Sequence, residues 1–191
     1  ELWERISRLT EYHPFLSATA HNIWWLLSLG NGKSSDLAVL PLFEQLGWSF
    51  LTYRTIGLGL VALSLLLVTI RLLRTSSPKK DYLAFAYFFT AFFMFATQIH
   101  ENHLIPMFPL LLVAAVHDKK SWQLYWLFAI AATLNMALHY PQILQVLVPQ
   151  NPDVWGGAEM ALPRWLSSLF QVGLFIYWSY LYWWRTEEKV E

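Results

Sequence analysis

Long apolar blocks separated by short polar breaks run through most of this chain, and the blocks have helical rather than strand lengths. The clearest covers residues 53–73, with Ile56-Gly57-Leu58-Gly59-Leu60-Val61-Ala62-Leu63 leading into Ser64-Leu65-Leu66-Leu67-Val68-Thr69-Ile70. About 20 helical residues at ~1.5 Å each cover a ~30 Å hydrocarbon core, so this block predicts a membrane span. Four more follow at 82–99, 104–116, 122–139 and 165–184. The third is short for a straight span and carries Pro106 and Pro109 near its start, so it begins below the surface or thins the bilayer locally. A loop rich in turn residues, Gln150-Asn151-Pro152-Asp153-Val154-Trp155-Gly156-Gly157, precedes the last.

Residues 1–52 have a different texture. Leu2-Trp3-Glu4-Arg5-Ile6-Ser7-Arg8-Leu9 predicts an amphipathic helix, and the apolar stretch ending Ile23-Trp24-Trp25-Leu26-Leu27 is too short to span. It predicts an interfacial or re-entrant helix anchored by its Trp pair, with a polar turn at 31–35 and a second such helix over 37–48. The fold class expected is therefore all-α: a polytopic transmembrane helix bundle over 53–191, about five apolar segments, with outer-face interfacial or re-entrant helices over 1–52. The chain opens on Glu1, with no signal peptide and no upstream partner for its first helix. The expectation is one incomplete domain whose N-terminal part is missing.

Composition agrees on the solvent. Apolar residues make up 56% of the chain and charged ones 14%, far from soluble norms of roughly 25% charged. Eleven Trp, nine Tyr and thirteen Phe suit side chains that gather where headgroups meet hydrocarbon. The net charge of zero and the lack of a basic run speak against a nucleic-acid partner. With no Cys there is no disulfide framework, thiolate nucleophile or Cys-based metal site.

Charge also orients the spans. Arg71, Arg74, Lys79 and Lys80 on the inner side put Lys119, Lys120, Arg185 and Lys189 there too, eight of the thirteen Lys and Arg. His13, His21, His100, His103 and His139 then face outward, with Glu11, Asp36, Glu44, Glu101, Asp153 and Glu159, and His117 lies inside. Long outer loops alone would collect carboxylates. The compact group His100-Glu101-Asn102-His103 at a membrane break is different, because ionisable groups at lipid depth are costly unless paired or solvated. A plain helix end capped by His and Asn is the structural alternative. If the helix continued, His100 and His103 would share one face suited to an anion, with Glu101 fixing an imidazole tautomer or taking a proton. A zinc-protease motif is excluded, since it needs the two His four apart and here the interval is three. No cofactor is called for, a divalent metal being left open. Arg54 and Arg164, at outer mouths of spans, are the cations nearest a lipid phosphate or are interfacial anchors.

Two blocks carry a resemblance. Ala20-His21-Asn22-Ile23-Trp24-Trp25 has the form Ala-x-Asn-x-Trp-Trp, and Phe95-Ala96-Thr97-Gln98-Ile99-His100-Glu101-Asn102-His103-Leu104-Ile105-Pro106-Met107-Phe108-Pro109-Leu110 follows the pattern Phe-x-x-x-x-His-Glu-Arg-Tyr-Leu-x-Pro-x-x-Pro-Leu. Together they resemble the GT-C integral-membrane glycosyltransferases, the mannosyl- and glucosyltransferases that use dolichyl- or polyprenyl-phosphate sugars. The family's Arg is Asn102 here and its Tyr is His103, which makes His103 a candidate for the cation at the donor phosphate. The resemblance implies transfer of a sugar from a polyprenyl- or dolichyl-phosphate donor to a glycan, lipid or protein acceptor on the extracytoplasmic or luminal face. It implies a multi-pass protein of the cell (inner) membrane, or of the endoplasmic reticulum membrane in a eukaryote. Its general base would be an acidic residue of the missing N-terminal part, so no catalytic residue is assigned here and the fragment alone is expected to be inactive. His100, Glu101, Asn102, His103, Arg54 and Arg164 are expected at the donor phosphate, with His21, Asn22 and Trp24 lining the outer cavity. A secondary transporter would also put ionisable groups at broken helices, and a non-catalytic membrane scaffold would use them only as an interface turn.

Overall fold

The computed structural model describes residues 16–17, 19–28, 34–75, 77–116, 119–139 and 161–184. Over these residues the protein is all-helical: α1 Ile23–Ser28, α2 Pro41–Gln45, α3 Tyr53–Thr75, α4 Pro78–Phe95, a 3₁₀ turn Glu101–Leu104, α5 Met107–Ala115, α6 Lys119–His139 and α7 Ala161–Trp184. Among the described residues there is no strand, and an isolated antiparallel bridge joins Ala38 to Thr52. The expected amphipathic helix at 2–9 and the loop at 150–157 lie outside the described residues.

Helices α3, α6 and α7 cover the apolar blocks read from the sequence and extend them by up to four residues. The second block behaves otherwise. α4 stops at Phe95 rather than 99, because Ala96 turns extended (φ −69°, ψ 139°) while its N–H still bonds Phe92 O at 2.9 Å. Gln98 then takes a left-handed conformation (φ 63°), unusual for a residue with a Cβ. His100 and His103 still share one side, but across a 3₁₀ turn that His100 caps rather than along a continued α-helix. The third block is divided at Pro106, which has helical φ and stands just before α5, with Pro109 in the first turn where no N–H is needed. Between 37 and 48 only Pro41–Gln45 is helical. Flanking residues pair instead, Val39 N–H with Leu51 O and Tyr53 N–H with Leu37 O, both at 3.2 Å.

Consecutive helices are neighbours, α3 on α4, α4 on α5, α5 on α6 and α6 on α7, and α7 returns to touch α4. α1 lies across α7 and α4. Phe93, Met94, Leu104, Met107, Leu111, Phe128 and Trp178 fill the interior. At the end bearing Arg71, Tyr87 stacks on Tyr182 with centroids 4.6 Å apart and accepts a hydrogen bond from Trp183 Nε1–H at 3.1 Å. Arg71 lies 4.3 Å from the centre of the Tyr182 ring, joining α3 to α7 by a cation–π contact.

Among the described residues one helix, Tyr53–Arg74, is long and apolar enough to cross a membrane by length and composition. Leu58, Leu63, Leu65, Leu66, Leu67 and Leu73 of this helix are exposed, so it is apolar around most of its circumference rather than along one stripe. Helices α4, α6 and α7 have 18, 21 and 24 residues, but Pro-Lys-Lys-Asp or Lys-Lys starts and many Trp, Tyr, Ser and amide side chains dilute their apolar character.

Candidate functional site

The break after α4 is held open by a second piece of chain. Residues 16–17 and 19–22 have no regular structure of their own and supply partners to it. Leu16 O accepts from Gln98 N–H at 3.2 Å, and Gln98 Nε2 donates to Ser35 Oγ at 2.8 Å. The left-handed backbone at Gln98 is thus fixed from two sides.

Asn22 is the pin of this arrangement. Fully buried, it caps α1 by accepting at Oδ1 from Trp24 and Trp25 N–H, both at 3.1 Å. Its Nδ2 donates to Phe93 O at 3.1 Å and Ala96 O at 3.4 Å, two carbonyls that the end of α4 leaves without helical partners. Ser168 of α7 donates to Asn22 O at 2.9 Å. Trp24 completes the seal, its Nε1–H donating to Phe95 O at 2.6 Å.

Above this seal lies the polar group. Glu101 is 7% exposed, and the Thr19 hydroxyl donates to its Oε2. Thr19 Oγ1 also lies 3.1 Å from His100 Nδ1. Thr19 therefore ties the Glu101 carboxylate to the His100 imidazole, whose ring also takes the His103 backbone N–H in a reciprocal cap. His103 curls back, its Nδ1 accepting from His100 N–H at 3.1 Å, and the two rings lie nearly parallel at 6.3 Å. Asn102 points outward, exposed.

A second group adjoins the first. His21 is fully buried; its backbone N–H donates to Asn135 Oδ1 at 2.9 Å, and its Nδ1 lies 2.8 Å from Ser167 Oγ. Asn135 also donates from Nδ2 to Thr19 O at 2.7 Å, so α6 and α7 both grip residues 19–22. The rings of His21 and His139 are 4.7 Å apart, with Trp25 against both at 5.5 and 4.8 Å. Arg164 donates from Nε to Leu138 O at 2.9 Å, and its charge bears on both imidazoles, while Glu101 acts on His139. Burial, then the neighbouring His139 and Arg164, push His21 down to about 2 from its ordinary 6.5, so it stays neutral.

The residues singled out from the sequence fall into three sets. His100, Glu101 and His103 come together as one turn, with His21 and Arg164 nearby through His139. Asn22 and Trp24 are buried and bonded within the fold, so they shape the site rather than line it. Arg54 pairs with Asp36 at 3.2 Å and its N–H bonds Ser35 O, fixing the segment that holds Gln98. Thr19, Asn135, Ser167 and Ser168 complete the network and were not among the sequence candidates. The signal was present for three of them: an amide and two hydroxyls inside otherwise apolar blocks. Among the described residues no three His, Asp or Glu side chains converge on one metal position. Comparison with protein-family profiles, with curated proteins and with solved structures gives no match to this chain.

Proposed function

We propose that this chain is the C-terminal part of a multi-pass membrane glycosyltransferase that takes a sugar from a polyprenyl- or dolichyl-phosphate donor and transfers it on the extracytoplasmic or luminal face. The observation that carries the reading is the Thr19–His100–Glu101 group at the break between α4 and α5, with His103 on the same turn. A broken helix brings ionisable groups to interface depth, where a lipid-linked donor carries its phosphate. His100 and His103 supply donors for the phosphate oxygens, and Glu101, oriented by Thr19, holds the imidazole of His100 in register. The apolar circumference of α3 suits contact with lipid, and the basic residues at the opposite end of the bundle suit an inner face. The chemical step itself requires an acidic base, and none of the residues assigned here is given that role. A divalent metal is not required by the residues assigned.

The test is donor binding by the full-length gene product in lipid nanodiscs. A polyprenyl-phosphate hexose is expected to bind, and His100→Ala to weaken it roughly tenfold, the scale of one lost charge-assisted hydrogen bond. Equal binding by parent and variant would remove His100 from the phosphate site.

A further inference from the structure

At the ends that carry Arg71, Arg74 and Lys80, α3 and α4 leave a groove of about 400 Å³ between them, lined by Leu72, Leu73, Asp81 and Phe85. Its walls are graded in polarity. Asp81 stands in the first turn of α4, at the end of the bundle, and Phe85 is one turn further in. Leu73 is 84% exposed and Phe85 48%, so the groove opens to the side of the bundle rather than into the core. From Leu73 the exposed side chains of Ile70 and Leu66 continue at intervals of three and four, one helix face that carries the apolar wall about 10 Å along α3. A carboxylate at one end with a hydrocarbon strip running away from it suits an amphiphile.

The geometry points to a headgroup site for an aminophospholipid of the phosphatidylethanolamine class, in the leaflet at the Arg71 end of the bundle. Its primary ammonium meets Asp81, its phosphate meets the exposed Arg74 and the half-buried Lys80, and an acyl chain lies along Phe85, Leu73, Ile70 and Leu66. Asp81 is already engaged within the fold, and a carboxylate with about four lone-pair positions accepts a further N–H. Basic residues alone would favour any anionic lipid, whereas a carboxylate among them favours a headgroup that carries both signs. A quaternary ammonium has no N–H to donate, so a choline headgroup fits less well. Four lining residues are too few for a second copy of the chain, since stable protein interfaces bury about 1,200 Å² or more. The inference rests on α3 crossing a bilayer, which is the membrane half of the proposed function, and is independent of sugar transfer.

The experiment uses the full-length gene product, delipidated in detergent and offered phosphatidylethanolamine, phosphatidylcholine or phosphatidylglycerol with identical acyl chains, retention being read by native mass spectrometry. The parent is expected to retain the ethanolamine lipid about fivefold or more over the other two. Asp81→Asn should bring that lipid down to the level of the choline lipid, a loss of about fivefold, and Asp81→Glu, which keeps the charge, should hold the preference. Leu73→Ser, at an exposed position, should leave the melting temperature in place and cut retention of all three lipids about threefold. Equal retention of ethanolamine and choline lipids by the parent, or a preference that survives Asp81→Asn, overturns the site. Stronger retention of the glycerol lipid assigns the groove to anionic headgroups and overturns it as well. Carbonate extraction separates the two kinds of failure. A parent that stays with the membrane and shows no preference loses this site alone, whereas a parent released into the aqueous phase loses the membrane reading with it.

Discussion

His21 shows how a single side chain links the fold to solution conditions. In the unfolded chain its imidazole takes up a proton near 6.5, whereas the folded one resists until about 2. Between those values the unfolded state binds more protons, so stability falls as pH falls through that window and is complete above it. Thermal unfolding in detergent should therefore show a loss below pH 6.5 approaching about 1.4 kcal/mol per pH unit from this group. His21→Gln should flatten the profile, at some cost in stability at neutral pH. A parental profile that does not change between pH 7 and 5 would contradict the burial of a neutral imidazole. Asn22 illustrates the opposite case, a polar residue whose bonds are all internal. Its type and its position before Trp24-Trp25 marked it from the sequence, but a cap and a ligand contact look alike until the carbonyls of Phe93 and Ala96 are located.

At the scale of elements, the decisive feature is where α4 ends. Apolar patterning extends through Ile99, and nothing in the local sequence forbids helix at Ala96 or Thr97. The stop is imposed from outside, by Asn22 and Trp24 taking the carbonyls of residues 93, 95 and 96 and by Leu16 taking the N–H of Gln98. Such long-range pairing cannot be read from periodicity, which is why the existence of the long helices was legible and the break was displaced by four residues. By contrast Pro106 and Pro109 announced the start of α5 directly. Gly57 of α3 is the point where the outer segment, α3 and the end of α4 meet. A Cβ there would lie 2.5 Å from Phe95 O and 3.3 Å from Trp24 Cζ2. Gly57→Ala is expected to destabilise by about 1–3 kcal/mol from overpacking, less up to about 1 kcal/mol regained in helix propensity. Gly59→Ala, with no atom within 4 Å, should be neutral or stabilising in the same melting experiment. Equal melting of the two variants would refute the close approach.

At the scale of the whole molecule, the proposed multi-pass reading puts Arg71 and Lys80 on one side of the membrane and the 101–104 turn on the other, from the charge pattern and the helix order. The chain contains no Cys, so single-Cys variants report topology without background. A membrane-impermeant maleimide added to whole cells should label Asn102→Cys, which is exposed, and should leave Lys80→Cys unlabelled until the membrane is breached. The reverse pattern would invert the topology. All-helical architecture and the His-Glu cluster were legible in the sequence; the meetings of Thr19 with Glu101 and of His21 with His139 were not, because segments far apart in the chain must come together first. The most direct test of the glycosyltransferase account is sugar transfer from a radiolabelled polyprenyl-phosphate hexose by the full-length product, reconstituted in vesicles with acceptor on the outer face. His100→Ala and Glu101→Gln should each lower transfer by about 100-fold, the scale for removing a positioned electrostatic group; transfer at the parental rate in both would contradict it.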